Sequence, residues 1–162
     1  MNLDNFVTQD KADSGEWFPV ELYGKPADFD LLILGDDSDV VQQHLRKALK
    51  KLKGVIGKLD ESKIAELDDD VVDDLTDSNL EAVLVRIVGI RGWKVERKGS
   101  KILSRESVQE IVLYDKALGK DRVLTNDKES FRFLITKIPA LKEFVLSKAR
   151  DRTNFLAQPS GN

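Results

Sequence analysis

Apolar and aromatic residues cluster in Glu16-Trp17-Phe18-Pro19-Val20-Glu21-Leu22-Tyr23 and again in Phe29-Asp30-Leu31-Leu32-Ile33-Leu34. Gly24, Lys25 and Pro26 separate the two runs and Gly35 closes the second. Such runs bounded by Gly and Pro predict a β-hairpin over 16–34, with a connection too long for a tight primed turn. Pro19 has no N–H to give, so the first strand is placed at a sheet edge. Asp36-Asp37-Ser38-Asp39 then offers side-chain acceptors and negative charge for a helix start. Val41, Leu45, Leu49, Leu52, Ile56 and Leu59 follow at spacings of three and four, which predicts a helix with one apolar face. The opposite face is basic, with Arg46, Lys47, Lys50, Lys51, Lys53 and Lys58.

Residues 60–74 are acidic, and a short helix around Ser62–Leu67 is expected there. Ser78-Asn79-Leu80-Glu81 reads as a capping box, and the apolar run Leu80–Ile90 as the buried helix behind it. Trp93–Arg97 and Lys101–Leu103 flank Lys98-Gly99-Ser100 as a turn or small hairpin. Ser104-Arg105-Glu106-Ser107 predicts another helix, with Val108, Ile111, Val112 and Leu113 facing inward. After a break at Gly119, Asn126-Asp127-Lys128-Glu129 caps a helix carrying Phe131, Leu134, Ile135 and Ile138. Pro139 restarts it as a last helix with Leu141, Phe144, Val145 and Ala149. The fold class expected is mainly α-helical (α+β). It consists of a loose arm over 1–15 with Leu3, Phe6 and Val7 as anchors, one domain over 16–157 with helices from 37 onward, and a disordered tail at 158–162.

Charge changes the picture more than composition does. The chain has 162 residues and a net charge of −3, but residues 1–81 hold 20 acids against 9 bases and residues 82–162 hold 9 against 17. Halves of −11 and +8 predict pairing of the two, within one molecule or between copies. With no cysteine and one histidine, disulfides, thiolate metal sites and cysteine nucleophiles are excluded, and a reducing cytoplasm fits. No apolar run approaches a membrane span, and the acidic start does not read as a signal peptide.

Candidate chemistry is sparse. Asp68-x-Asp70 begins like a calcium loop, but Val72 stands at the fifth position and the closing glutamate is missing. Gly57-Lys58 lacks the spacing and the hydroxyl of a phosphate loop. His44, on the flank of an apolar face, has nothing beside it in sequence to make it a base. No metal, cofactor or catalytic set is therefore assigned, and an enzyme is disfavoured. Arg91, Lys94, Arg97, Lys98, Lys101 and Arg105 surround Trp93, a pattern able to bind single-stranded nucleic acid. A sequence pI of about 5.3 weighs against it.

From about Asn79 onward the chain resembles the tail assembly chaperone family of long-tailed bacteriophages. The resemblance rests on Val88-Gly89-Ile90-Arg91-Gly92-Trp93, on the Ser104-Arg105-Glu106 start, and on Pro139-Ala140-Leu141 with Arg152-Thr153-Asn154-Phe155-Leu156. The N-terminal hairpin followed by Gly35-Asp36-Asp37-Ser38-Asp39 and a basic amphipathic helix is similar to phage proteins of this group, while the 60–74 stretch has no counterpart among them. The resemblance implies a non-enzymatic protein of the infected or lysogenic host's cytoplasm, absent from the mature virion. It would bind the tape measure protein, with the tail tube protein and self-association as further partners; genes of this family often also yield a longer frameshifted product. The alternatives are a phage structural or head–tail connector protein, or a nucleic-acid-binding accessory. As partner-binding residues the sequence nominates Phe155, Leu156, Phe144, Arg150 and Arg152 near the chain end, and Trp93.

Overall fold

The computed structural model describes residues 3–56, 79–108 and 110–156. The molecule is α+β around a four-stranded antiparallel sheet, not mainly helical as its sequence suggests. A short helix α1 (Gln9–Ser14) precedes β1 (Glu16–Leu22) and β2 (Lys25–Ile33), and α2 (Asp39–Ile56) follows. After a helical turn at 79–84 come β3 (Ile87–Lys98), β4 (Lys101–Val108), β5 (Ile111–Asp115) and β6 (Lys120–Leu124). Helices α3 (Lys128–Lys137) and α4 (Ala140–Arg150) and a 3-10 turn at Arg152–Phe155 complete the order. The main sheet runs β1-β2-β3-β4, and β5-β6 is a separate hairpin.

The N-terminal hairpin forms where expected, with Pro19 on the edge strand, but its turn is tighter than the sequence suggests. Lys25 and Pro26 belong to β2, so Leu22 pairs with Lys25 across the two residues Tyr23 and Gly24. Both have positive φ, 54° and 72°, as a I′ turn requires. Pro26 is tolerated because β2 pairs with β3 only over Phe29–Ile33, so at Pro26, opposite Glu21, the strand has one neighbour.

Two segments expected as helix are strand. The helical turn ends at residue 84, and Ile87 begins β3, which pairs along β2 from Ile33↔Ile87 to Phe29↔Gly92. Gly89 and Gly92 disfavour a helix, while Ile87, Val88 and Ile90 suit a pleated surface. The free edge of β2 decides between them. Gly89 also admits the close approach of β1: a Cβ there would lie 3.0 Å from Trp17 Cη2 and 3.1 Å from Leu32 Cβ. Ser104–Val108 is β4, not a helix start, and Ile111–Leu113 lies in β5. A local capping pattern loses here to a ladder with β3 that runs from Lys98↔Lys101 to Gly92↔Val108. Gly99, φ 63°, takes the first central position of that hairpin's turn.

The C-terminal helices follow the sequence closely. Asp127 caps α3 by accepting from the Ser130 N–H at 2.8 Å, and Pro139 opens α4. Phe131, Leu134, Ile135, Leu141, Val145 and Ala149 cover the inner sheet face of Val20, Leu31, Ile33 and Ile90. Burying the larger of these side chains contributes roughly 1.5–3 kcal/mol each. Residues 3–15 hold a 3-10 turn at Asp4–Phe6 and α1; Ala12 is buried there, whereas Leu3, Phe6 and Val7 are exposed. The expected helix around 62–67 and the tail at 158–162 lie outside the described residues.

The two charge halves meet inside the molecule. Six of the nine ion pairs among the described residues join an acid before residue 82 to an arginine after it: Arg86–Asp36, Arg91–Asp30, Arg97–Asp28, Arg105–Asp30, Arg132–Glu81 and Arg152–Asp37.

Candidate partner-binding surfaces

Helix α2 is anchored at one end. Ser38 is its N-cap: its hydroxyl accepts from the Val41 N–H, and its carbonyl accepts from Gln42. Asp13 of α1 takes the Asp39 N–H at 2.7 Å, Gln9 donates to Asp39 at 2.8 Å, and Thr8 donates to Asp37. Val41 is fully buried. Beyond that first turn the apolar face is less covered by the described residues. Leu45 is half-buried, Leu49 is 56% exposed and Leu52 39% exposed. Arg46, Lys47, Lys50, Lys51 and Lys53 flank this stripe, all exposed and none ion-paired among the described residues. An 18-residue helix spans about 27 Å, and the contacts that fix it among the described residues lie at its first turn. Physically this is an amphipathic helix offering an apolar stripe with a cationic rim.

The C-terminal residues nominated from sequence lie elsewhere. Phe155 is 1% exposed and meets Phe18 edge to face, ring centroids 6.1 Å apart. Its ring lies against Gly35, where a Cβ would stand 3.0 Å away. It is a core residue, so a partner would reach it only by opening the fold. Leu156 and Phe144 are half-buried, and Phe144 packs at the margin of the core. Arg150 is exposed. Arg152 is exposed too, but its Nε and Nη2 grip Asp37 at 3.0–3.1 Å. That grip, reinforced by the Thr8 hydroxyl, holds the Asp37 carboxyl below the usual aspartate range. The Asp37 contacts thus join the start of the chain to its last turn.

Trp93 sits on the outer face of the main sheet, which no described helix packs against as α3 and α4 do on the inner one. There Asp30, 2% exposed, accepts from Arg91 Nε and from Arg105 Nη2, both at 2.8 Å. The Arg91 guanidinium lies over the rings of Trp17 (4.3 Å to the centroid) and Trp93 (5.2 Å), and that of Arg105 over Trp93 (3.9 Å). The six-cation patch read around Trp93 is dispersed. Lys94, paired with Glu106 in the ladder, points to the other side of the sheet, and Arg97 pairs with Asp28. Each indole already carries a guanidinium, so a nucleic-acid base would have to displace it in order to stack.

Trp17 and Asp30 were missed as site residues. The available signal was a lone carboxylate inside the apolar strand Phe29–Leu34, one strand position out of phase with Leu31 and Ile33. Among the described residues no group of three acidic or histidine side chains converges as metal ligands, and no helix is long and apolar enough to cross a membrane. No family model, no curated protein and no solved structure matches the chain.

Proposed function

We propose that this protein is a tail assembly chaperone of a long-tailed phage or prophage, acting in the host cytoplasm without catalysis by holding the tape measure protein until the tail tube is built. The observation that carries the reading is the open stripe of α2, with Leu49 and Leu52 exposed between lysines and arginines. A tape measure protein is a long helix whose apolar positions aggregate when uncovered. A helix that is fixed at its first turn and presents leucines at three- and four-residue spacing is suited to cover one by helix-to-helix packing. The cationic rim would select clients with acidic flanks and speed their encounter. The resemblance noted from Val88–Trp93 and Arg152–Leu156 points the same way. Phe155 and Arg152 then act within the fold, not on the client.

The test is co-expression with a tape measure protein from the phage or prophage that carries this gene. Leu49→Ser with Leu52→Ser changes only exposed side chains, so melting should be nearly unmoved while co-purification is lost; truncating such anchors typically costs about 2 kcal/mol or more of binding. Co-purification at the wild-type level would overturn the reading, as would recovery of the protein in stoichiometric amount from purified virions.

A further inference from the structure

We propose that the outer face of the main sheet, around Arg91, Arg105 and Trp93, binds an acidic peptide segment of a partner protein, whose carboxylates take the guanidinium N–H groups that Asp30 leaves unused. The proposal rests on donor and acceptor accounting. An arginine carries five N–H donors in a planar fork. Arg91 gives Asp30 only its Nε–H and Arg105 only one hydrogen from Nη2, and no other acceptor meets either guanidinium among the described residues. Four donors on each side chain are left over. Asp30, its side chain 3% exposed, lies beneath both and has no free edge to offer, whereas the two arginine side chains are 41% and 42% exposed.

A third side chain of the cluster also has an unmet donor: Trp93 Nε1 is the buried side-chain nitrogen that finds no acceptor among the described residues. Buried polar groups are normally partnered, so this cluster has more donors than acceptors, and the accessible ones are those of the two guanidiniums. One carboxylate against two guanidiniums also leaves a single excess positive charge, which one added carboxylate would neutralise. The forks are already held. Stacking on Trp17 and Trp93 and the bonds to Asp30 fix both planes, so little side-chain freedom is lost on binding. Trp17, against which Arg91 stacks, supplies an apolar rim.

The same observations favour an acidic peptide over nucleic acid. The rings that would stack bases carry guanidiniums, and one excess charge suits one carboxylate better than a run of phosphates.

Trp17 and Trp93 are the chain's two tryptophans, so intrinsic fluorescence reads this face directly. The full chain at low salt is titrated with octaglutamate, with octaglutamine and with a ten-nucleotide oligothymidylate. Expected are a saturable emission change with octaglutamate, none with octaglutamine, and at least tenfold weaker binding by Arg105→Gln whose circular dichroism matches wild type. Should Arg105→Gln fail to fold, Arg105→Lys keeps the charge but loses the fork, and binding should still weaken severalfold. No response to octaglutamate, an equal response to octaglutamine, tighter binding of the oligothymidylate, or wild-type affinity in a folded Arg105 variant would each overturn the proposal.

Discussion

Removing the Asp30 carboxylate is the sharpest perturbation the fold offers. Its side chain is 3% exposed and accepts two charge-assisted hydrogen bonds at 2.8 Å, one from β3 and one from β4. Such bonds contribute roughly 1.5–3 kcal/mol each, and removing one partner of a buried ion pair costs about 3–5 kcal/mol. The two arginines are not fully desolvated, so once released they recover part of their hydration. That places Asp30→Ala near the lower limit, about 3 kcal/mol, or roughly 6–12 °C in Tm for a chain of this size. Arg91→Gln should cost less, about 1–2 kcal/mol, because Asp30 keeps Arg105 and the lost cation was half in water. Urea unfolding followed by circular dichroism measures both. If the cost comes from uncompensated charge and not from lost volume, replacing Asp30, Arg91 and Arg105 together by Leu, Met and Met should recover most of the stability lost in Asp30→Ala. The reasoning is refuted if Asp30→Ala unfolds within about 0.5 kcal/mol of wild type, the scatter of ordinary surface substitutions. A triple variant weaker than the single one would refute the charge argument alone.

Three further outcomes follow from particular positions. Tyr23→Asn should stabilise by about 0.5 kcal/mol, because Tyr23 is exposed at φ 54° and asparagine adopts that region more readily; a lower urea midpoint would count against the I′ turn. Phe155→Ala should lose about 3–5 kcal/mol and fold poorly, as a buried aromatic does; a variant with native Tm would contradict its place in the core. The Asp37 carboxyl titrates below its unfolded value, so the stability it lends is complete above about pH 4 and is lost as pH falls through the lower folded value. Asp37→Asn should therefore flatten the acid limb of a Tm-against-pH curve, and an unchanged limb would refute the Arg152 pairing.

Where the sequence was readable, local signals and tertiary packing agreed. Asp127 caps α3 and Pro139 starts α4 as their residue types dictate, and the inward positions Phe131, Leu134, Ile135, Leu141 and Val145 have a helical period that the core accepts. The tight hairpin turn escaped notice because Tyr23 is an uncommon residue at positive φ, and because Pro26 marks a break in most strands. Phe155 was misplaced at the surface for a different reason. Position in the chain says little about burial, and Phe155 is covered by Phe18 and Gly35, more than a hundred residues upstream.

The stretch from Leu80 to Leu113 shows why the fold class could not be read locally. Its apolar residues fit a helix and a strand almost equally, and its serines and glutamates imitate helix caps. What settles the conformation is the edge of β2, which the hairpin turn at Tyr23-Gly24 holds open. Ile87–Gly92 completes that edge, and β4 then completes the edge of β3. The same pairing carries the charge pattern. Asp30 faces Arg91 directly across the β2–β3 ladder, and Arg105 reaches Asp30 from β4, one strand further out. Had residues 80–90 been helix, Asp30 would be a buried carboxylate without a counter-ion, costing several kcal/mol. The acid that looks misplaced in an apolar strand is thus the strongest single argument, within the sequence itself, for the sheet that forms.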